Sequence, residues 1–305
     1  AITVVASYTD GGGSPEQVAS LVTDSIAKTS QLITWNQAFS SLEYGVADIA
    51  LSASASSGLS VTYESSNPSV LSIVNGTVLR IHSAGQATIS AKQAGDANYA
   101  PATDESKLIT VSPRALTATA SAANKVYDGN TTASTTLSLS GLVGSETLNS
   151  TVGSTFDTKD VGIGKTVTVN SITLSDGTNG GLASNYSLAA GQTTTADITA
   201  KPITVTGITA SNKVYDGQTV ATIDVSGINE TGIGLLAGDT ATVTISATGV
   251  FSDKNVGTGK TVTLTGSASG ADAANYSITH QSSTTADITS KALTATASAA
   301  NKVYD

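Results

Sequence analysis

The sequence predicts an all-β protein, built from tandem immunoglobulin-like β-sandwich modules in an elongated rod, with one short N-terminal helix. Three observations support this prediction. Apolar and polar residues alternate over short runs, which is typical of strands with one buried face. Glycine- and asparagine-rich turn signals separate these runs. The third is a long repeat, in which Tyr127, Tyr215 and Tyr304 are 88 and 89 residues apart.

Residues 1–30 differ from the rest and are interpreted as the tail of a preceding module or a junction element. AITVVASY is predicted to be a strand, and SPEQVASLVTDSIAK to be the helix. Ser14 as N-cap, Pro15 at the first helical position and Gln17 three residues after the cap form a capping-box pattern. One helix face then carries four apolar residues: Val18, Leu21, Val22 and Ile26.

Residues 31–113 are predicted to form the first sandwich. Leu59, Val61 and Tyr63 alternate with polar residues, and Asn75-Gly76 in VNGT favours a two-residue hairpin. The segment GDANYA is similar to the ANYS of the later copies, and KLITVS is the closing strand. Trp35 is interpreted as a core residue, with an exposed sugar-stacking platform as the alternative.

Residues 114–200 and 201–290 are predicted to be two copies of a second module. FDTKDVGIGKTVTV matches FSDKNVGTGKTVTL, SNYSL matches ANYSI, and TTTADITAK matches STTADITSK. The segment ADITAKPITV leads from the last strand of one copy into the first strand of the next. No Gly/Ser-rich spacer intervenes, and Pro202 stiffens the joint.

Residues 291–305 are interpreted as the first strand of a further repeat. ALTATASAANKVYD at 292–305 is identical to residues 115–128, so a longer array is expected. Because a lone strand leaves its backbone groups unpaired, this segment is expected to belong to such an array or to pair with a neighbouring subunit in a strand-exchanging filament. The chain has no methionine and is therefore expected to be a fragment or a processed product.

Composition excludes several classes of function. The net charge of −9 argues against nucleic-acid binding, which needs a basic face. The absence of cysteine excludes disulfides, thiolate metal sites and cysteine nucleophiles. No run approaches the 18 or so apolar residues of a membrane-spanning helix, so no membrane insertion is expected in this segment.

The motifs that suggest catalysis are weak, and we expect no enzyme. GIGKT and GTGKT lack a P-loop's first glycine, because Lys159 and Lys254 stand there, and a strand rather than a helix is expected to follow. His82 and His280 lie in different modules and outside any metal-ligand spacing. A Ser–His–Asp triad stays open, since serine is too abundant to be informative.

The phrase KVYDG is interpreted as the opening of a module rather than as a site. Its tyrosine is expected to anchor in the sandwich, and its Asp-Gly pair to form a turn. The structural repeat signature comprises Tyr127, Asp128, Gly129, Tyr186, Tyr215, Asp216, Gly217 and Tyr276.

No cofactor is expected, with Ca²⁺ at module junctions as the alternative, because oxygen-only ligands suit this ion. The candidate ligands recur at module ends or turns: Asp128, Asp160, Asp197, Asp216 and Asp287. No dense acidic loop accompanies them. An isopeptide crosslink from Lys125 or Lys213 to an asparagine is also left open.

NKVYDGNTTA and NKVYDGQTVA, each with a downstream ANYS-like element and a TADIT end, resemble the YDG-type repeat domain of large bacterial surface proteins. The module from residue 31, with Tyr44-Gly45 in LEYG and the run SSGLSVTYESSNPSV, resembles the associated MBG domain of the YGX type. Together these resemblances cover roughly residues 31–305.

The resemblance implies an exported adhesin or filamentous-haemagglutinin-like protein, with this region displayed outside the cell as a non-catalytic stalk. It carries over no catalytic residues. The implied partners are further copies of the array or neighbouring subunits. The alternative function is an adhesin module that itself binds a host or surface glycan or protein.

Overall fold

The computed structural model describes residues 2–21 and 26–303 of the 305-residue chain. Almost every regular element is a β-strand. The chain divides into two compact units. The first comprises residues up to Thr117, Ser140–Asn149 and Leu174–Leu188; the second comprises Ala118–Leu139, Ser150–Thr173 and the residues from Ala189 onward. The predicted all-β fold of tandem sandwich modules is confirmed.

The strands before residue 113 all belong to the first unit. They are β1 Val5–Thr9, β2 Pro15–Ala19, β3 Ile33–Thr34, β4 Leu42–Glu43, β5 Ile49–Ala50, β6 Ser54–Ala55, β7 Thr62–Ser65, β8 Leu71–Val74, β9 Val78–Ile81, β10 Gly85–Lys92 and β11 Glu105–Ser112.

The next strands belong partly to each unit. They are β12 Arg114–Ala115, β13 Thr117–Ala122, β14 Lys125–Val126, β15 Thr132–Ala133, β16 Thr135–Ser140, β17 Leu148–Phe156, β18 Gly162–Asp176, β19 Tyr186–Ser187 and β20 Thr193–Thr199. A single 3₁₀ turn, Ala183–Asn185, precedes β19.

The remaining strands belong to the second unit. They are β21 Lys201–Thr204, β22 Thr209–Ala210, β23 Lys213–Val214, β24 Val220–Ala221, β25 Ile223–Asp224, β26 Thr244–Phe251, β27 Gly257–Ser269, β28 Tyr276–Thr279 and β29 Ser283–Thr289. A 3₁₀ turn, Ala273–Asn275, precedes β28 in the same way.

In the first unit, a four-stranded sheet of order β4-β11-β10-β7 and a three-stranded sheet of order β5-β9-β8 enclose the core. Leu71, Leu79 and Ile89 are fully buried there. The predicted hairpin at Asn75-Gly76 is present, since both residues have positive φ. Val74 pairs with Val78, so the loop has three residues rather than the predicted two.

The second unit contains two five-stranded sheets of the same design, β14-β20-β18-β17-β15 and β23-β29-β27-β26-β24. In each, the short strand that opens the KVYDG phrase pairs parallel to the last strand, Lys125 with Ile198 and Lys213 with Ile288. The alternation predicted at Val167 and Val169 is confirmed, since both side chains are buried. Three further inward side chains of these sheets are also buried: Ile198, Val262 and Ile288.

The predicted N-terminal helix is wrong over the described part of its range. Pro15–Ala19 is a strand, paired antiparallel with β1 so that Val5 lies opposite Ala19. The Asp10 carboxylate accepts hydrogen bonds from the Gly12 and Ser14 N–H groups and closes the hairpin turn. An amphipathic helix needs an apolar partner for its stripe, and here Val18, Leu21 and Ile26 are exposed. Val22 lies outside the described residues.

The predicted strand at 292–305 also differs from the structure. Residues 290–303 are exposed and form no strand, although residues 115–126, of identical sequence to 292–303, contain β13 and β14. Strand formation here depends on the partner, because a strand without one leaves its backbone groups unpaired. Tyr304 and Asp305 lie outside the described residues, and pairing with a neighbouring subunit stays a prediction.

Candidate functional site

The KVYDG phrase forms a loop that its own lysine fastens, and it does so in the same way in both copies. The Lys213 ammonium donates to the Asp216 carboxylate at 2.9 Å and to the Gln218 and Val220 carbonyls at 2.8 and 3.1 Å. It also lies 5.5 Å from the centre of the Phe251 ring, and a cation at this distance from an aromatic face is stabilised. The lysine thus joins the loop to the core.

The Asp-Gly pair lies in the turn. The Lys213 ammonium, followed by the Gln218 backbone N–H, lowers the pKa of the Asp216 carboxyl. Gly217 has a φ of 76° and Gly129 a φ of 78°, in the left-handed region that side chains with a Cβ resist. The turn therefore requires glycine for its backbone angle.

Replacing Gly217 with alanine tests that requirement. The new Cβ would meet no atom within 4 Å, so only the backbone angle opposes it. We expect the free energy of unfolding to fall by about 1 kcal/mol, measured by urea denaturation. Gly238→Ala is the matched control, because Gly238 has equal space and no positive φ, and it should change stability little. Equal losses in the two variants would contradict the angle argument.

Two tyrosines share one buried carboxylate in the second unit. The Tyr127 hydroxyl donates to Asp239 Oδ2 at 2.9 Å, and the Tyr276 hydroxyl donates to the same oxygen at 2.6 Å. The two rings lie edge to face, with centroids 5.6 Å apart. Tyr127 is 1% exposed and Asp239 is 3% exposed, so water does not compete for these hydrogen bonds. Because these residues lie in the second unit, we call Tyr127, Asp239 and Tyr276 the second tyrosine–carboxylate cluster.

A lysine balances the charge of this cluster. The Lys159 ammonium lies 2.8 Å from Asp272 Oδ1 and 3.6 Å from Asp239 Oδ1. The Asp272 carboxylate, followed by the Tyr127 hydroxyl, raises the pKa of Lys159, while Lys159 lowers the pKa of the Asp272 carboxyl. Lys159 therefore stays charged at neutral pH beside the buried carboxylate.

An asparagine beside the cluster binds a backbone amide. Asn275 is 3% exposed, and its side-chain oxygen accepts from the Val161 N–H at 2.9 Å. Its side-chain nitrogen donates to Asp160 at 3.2 Å and Asp272 at 3.3 Å. Because both ends of this buried amide are hydrogen-bonded, Asn275 fixes the position of its neighbours as well as contributing to the stability of the fold.

The first unit contains an equivalent cluster. The Tyr44 hydroxyl donates to Glu146 Oε1 at 2.6 Å, and the Tyr186 hydroxyl donates to Glu146 Oε2, with the rings 5.4 Å apart and edge to face. Asn185, which is fully buried, accepts from the Ala84 N–H at 2.8 Å. We call Tyr44, Glu146 and Tyr186 the first tyrosine–carboxylate cluster.

The sequence pattern identified the tyrosines of these clusters but not their partners. Tyr127, Tyr186 and Tyr276 stand in matching motifs, and the Asn-Tyr dipeptides at 185–186 and 275–276 repeat. The carboxylates lie at matching positions of two loops of similar sequence, GLVGSET at 141–147 and GLLAGDT at 234–240, with glutamate in one copy and aspartate in the other. The repeated Asn-Tyr pair and the acidic residue shared by these two loops are the signals that could have found the partners.

The buried hydroxyls make stability depend on alkaline pH. Burial, followed by the hydrogen bond to Glu146, raises the pKa of Tyr44 from 10.0 to about 12, and burial likewise raises the pKa of Tyr127, Tyr186 and Tyr276. Their contribution is therefore complete below pH 10 and is lost as the pH rises through the folded-state pKa. We expect the melting temperature to fall steeply between about pH 10 and 12.

Tyr44→Phe is the control for this pH dependence. Without the Tyr44 hydroxyl, the first unit should lose less stability over the same alkaline range, because one fewer proton is released on unfolding. Thermal melts at stepped pH, followed by circular dichroism, measure the slope. An unchanged slope in the variant would contradict the assignment.

The predicted Ca²⁺ ligands have protein partners. Asp128 pairs with Lys125 at 2.7 Å, and Asp216 with Lys213 at 2.9 Å. Asp197 and Asp287 accept from the Gly164 and Gly259 N–H groups, and Asp160 accepts from Asn275. Within residues 2–21 and 26–303, no three or more His, Asp or Glu side chains group to hold a metal ion. The Ca²⁺ alternative stays a prediction.

Lys125 and Lys213 hold equivalent loops, but the two lysines do not contact an asparagine at the same position in both copies. Lys125 Nζ lies 3.3 Å from Asn130 Oδ1, but Gln218 stands at the position equivalent to Asn130 in the second copy. The repeated function of the two lysines is to hold the loop and the phenylalanine ring. The isopeptide alternative is therefore not supported by a lysine–asparagine contact that occurs in both copies.

Trp35 is a core residue, as predicted. It is 4% exposed and packs edge to face against Phe39 and Tyr63, with the Lys107 ammonium 5.4 Å from its ring. Its indole N–H donates to Gln37. The alternative of an exposed sugar-stacking platform is therefore wrong for this residue.

The GIGKT segment continues into strand β18, as predicted, and no helix N-terminus faces it. Gly164 has a φ of 61°, and the register shifts between Gly162 and Lys165, which marks a β-bulge. Ser72 Oγ and His82 Nε2 lie 2.7 Å apart, a polar pair that no sequence motif predicts. This Ser–His pair is exposed, and the nearby Asp48 carboxylate forms an ion pair with Arg80.

The fold and these two clusters define a class: a protein of repeated β-domains in which two tyrosines from separate parts of the chain share one carboxylate. Residues 112–196 and 199–286 each match the YDG domain, together more than half of the chain. The chain therefore belongs to the YDG-domain family. The second cluster joins the two matched domains, since Tyr127 lies in one match and Asp239 and Tyr276 lie in the other.

Other comparisons are more distant. No curated protein matches the chain. A structure of surface layer protein SbsC, domains 1–6, is similar at 15% identity, covering 86% of this chain and 41% of that one, with a TM-score of 0.22. Drosophila N-cadherin EC1-4 is similar at 9% identity, covering 95% of this chain and 83% of that one, with a TM-score of 0.23. The chain thus spans less than half the length of the SbsC structure. No helix in the described residues is long and apolar enough to cross a membrane.

Proposed function

We propose that this chain is a non-catalytic structural spacer, a stalk region of an exported bacterial surface adhesin or extracellular filament. The observation that carries the proposal is the second tyrosine–carboxylate cluster. It joins two successive YDG domains through a carboxylate that is 3% exposed. A spacer needs fixed joints between its domains, and this joint has the buried polar network that fixes one geometry.

The covalent connection supports the same proposal. Strand β20 ends at Thr199 and strand β21 begins at Lys201, so only Ala200 lies between them. Pro202 then restricts the backbone at the start of β21. One residue cannot act as a flexible linker, so bending at this joint would have to break the cluster.

The adhesin context, the extracellular location and the MBG identity of residues 31–113 rest on the motif resemblance and are part of the proposal. Tyr44 of LEYG supports that identity, because its N–H bonds to the Ser112 carbonyl at 3.0 Å, as the Tyr127 N–H bonds to Thr199 at 2.8 Å. The module boundaries at 31–113, 114–200 and 201–290 belong to the same proposal. The glycan-binding alternative gains little support, since Tyr8 is the one exposed aromatic side chain among the described residues.

Spin labels test the fixed joint. The chain has no cysteine, so Thr195→Cys and Thr285→Cys place two labels at equivalent exposed strand positions of the two YDG domains. We expect a narrow distance distribution by double electron–electron resonance. A Gly-Ser-Gly-Ser insertion after Ala200, combined with Asp239→Ala, should broaden it. A broad distribution in the parent chain would refute a stiff spacer.

A further inference from the structure

The second YDG domain carries its own copy of the tyrosine, Tyr215, in a different environment. The Tyr215 N–H bonds to the Thr289 carbonyl at 2.8 Å, as the Tyr127 N–H bonds to Thr199. Tyr127 is 1% exposed and its hydroxyl donates to Asp239. Tyr215 is only half-buried, and none of the described residues accepts a hydrogen bond from its hydroxyl.

Two more donors of the second YDG domain also lack the partners that their equivalents have. Lys254 stands where Lys159 does, yet it is exposed and pairs with no carboxylate of the described chain. Val256 stands where Val161 does, and within the described residues its N–H has no acceptor, whereas the Val161 N–H bonds to Asn275 at 2.9 Å. The Val256 side chain is 54% exposed.

Tyr215 and Val256 line an apolar cavity of about 450 Å³ together with Asn255, Ser290, Lys291 and Leu293, and Lys254 directly precedes Asn255 in the sequence. Leu293 is 91% exposed, but Leu116, at the same place in the identical sequence, is 6% exposed. The face therefore combines a hydroxyl, an ammonium and an amide donor with uncovered apolar surface. A carboxylate and an amide oxygen, presented together on an apolar face, would complement it.

We propose that this face, formed by Tyr215, Lys254 and Val256, is the docking site for a further YDG domain. The carboxylate of that domain accepts from the Tyr215 hydroxyl and the Lys254 ammonium. The asparagine of its Asn-Tyr pair accepts from the Val256 N–H. The inference rests on the proposed spacer function and names the partner at its next joint.

Two features of this chain select that occupant. In both tyrosine–carboxylate clusters a tyrosine hydroxyl and a backbone N–H already meet the same groups, a carboxylate and an Asn-Tyr pair, each from a YDG domain. Residues 292–305 also repeat residues 115–128, the opening of the first YDG domain, and Leu293 of this segment already lines the cavity.

The repeated sequence permits a direct experiment. Appending residues 129–200 after Asp305 continues the phrase KVYD and completes a copy of the first YDG domain. We expect the Val256 N–H to exchange with solvent at least about tenfold more slowly in the extended chain, measured by nuclear magnetic resonance, because a buried acceptor protects it. Tyr215→Phe should leave the melting temperature of the original chain unchanged and lower that of the extended chain.

The control places Asn185→Leu in the appended copy alone and should restore fast exchange at Val256. A second extension, residues 217–290, also continues from KVYD and supplies the carboxylates of the other copy. Folded extensions that leave Val256 exchange unchanged would overturn the proposal. Extensions that both stay unfolded would also count against it, because these sequences fold beside Tyr44 and Tyr127 here. If the docking proposal fails but the spin-label distance between positions 195 and 285 stays narrow, the spacer function still holds. The two failures are therefore distinguishable.

Discussion

Replacing Asp239 with alanine is expected to lower the free energy of unfolding of the second unit by about 3–5 kcal/mol. The substitution leaves the buried hydroxyls of Tyr127 and Tyr276 without their shared acceptor, and each such group costs about 1–3 kcal/mol. Lys159 also loses one of its two carboxylates. Urea denaturation followed by circular dichroism measures the change.

Two comparisons make this prediction specific. Adding Tyr127→Phe to Asp239→Ala removes one of the orphaned hydroxyls, so the double variant should cost less than the sum of the two single variants. Glu146→Ala in the first cluster should cost less than Asp239→Ala, because Glu146 is half-buried where Asp239 is 3% exposed. A loss of less than about 1 kcal/mol for Asp239→Ala would show that water replaces the carboxylate.

Phe251→Ala should have a comparable effect for a different reason. The ring is 2% exposed and packs in one core cluster with Val262 and Ile288, so its removal leaves a cavity that costs about 3–5 kcal/mol. The Lys213 ammonium also loses its aromatic partner, worth about 0.5–2 kcal/mol. The result is read from the same urea titration.

Phe251→Leu separates these contributions. Leucine keeps most of the buried volume but offers no aromatic face, so we expect a loss well below that of the alanine variant. Phe156→Ala, at the equivalent position beneath Lys125, should repeat the effect in the first YDG domain, since the lysine lies 5.4 Å from that ring. A large loss at Phe251 without one at Phe156 would contradict the equivalence of the two loops.

The strands were predictable because their determinants are local. Val167 and Val169 alternate with threonines, and Asn75-Gly76 supplies the positive φ angles of a hairpin. The N-terminal helix was not predictable in this way. Its capping box and apolar stripe are real sequence features, but the described residues of the stripe, Val18, Leu21 and Ile26, are exposed, and pairing with β1 satisfies the backbone of Pro15–Ala19 instead.

The clusters could be predicted only in part, because they depend on contacts distant in sequence. Tyr127 and Asp239 are separated by 112 residues and lie in different copies of the repeat, so an alignment of the copies does not show that they are in contact. The repeated tyrosines were recognised as structural positions, but the shared carboxylate was not. The segments at 115–126 and 292–303 show the same limit, since one sequence forms strands only where a partner sheet is present.

The division of each cluster between neighbouring domains has a consequence for how such genes can change. The first YDG domain supplies Tyr127 to one cluster and Glu146 with Asn185 to the other, and the docking site proposed at Tyr215 extends this division to the second YDG domain. Unequal crossing-over between two copies at equivalent codons therefore adds or removes one complete repeat and leaves every joint with both of its halves. Arrays of this kind can change length by recombination without an intermediate that exposes an unpaired buried charge.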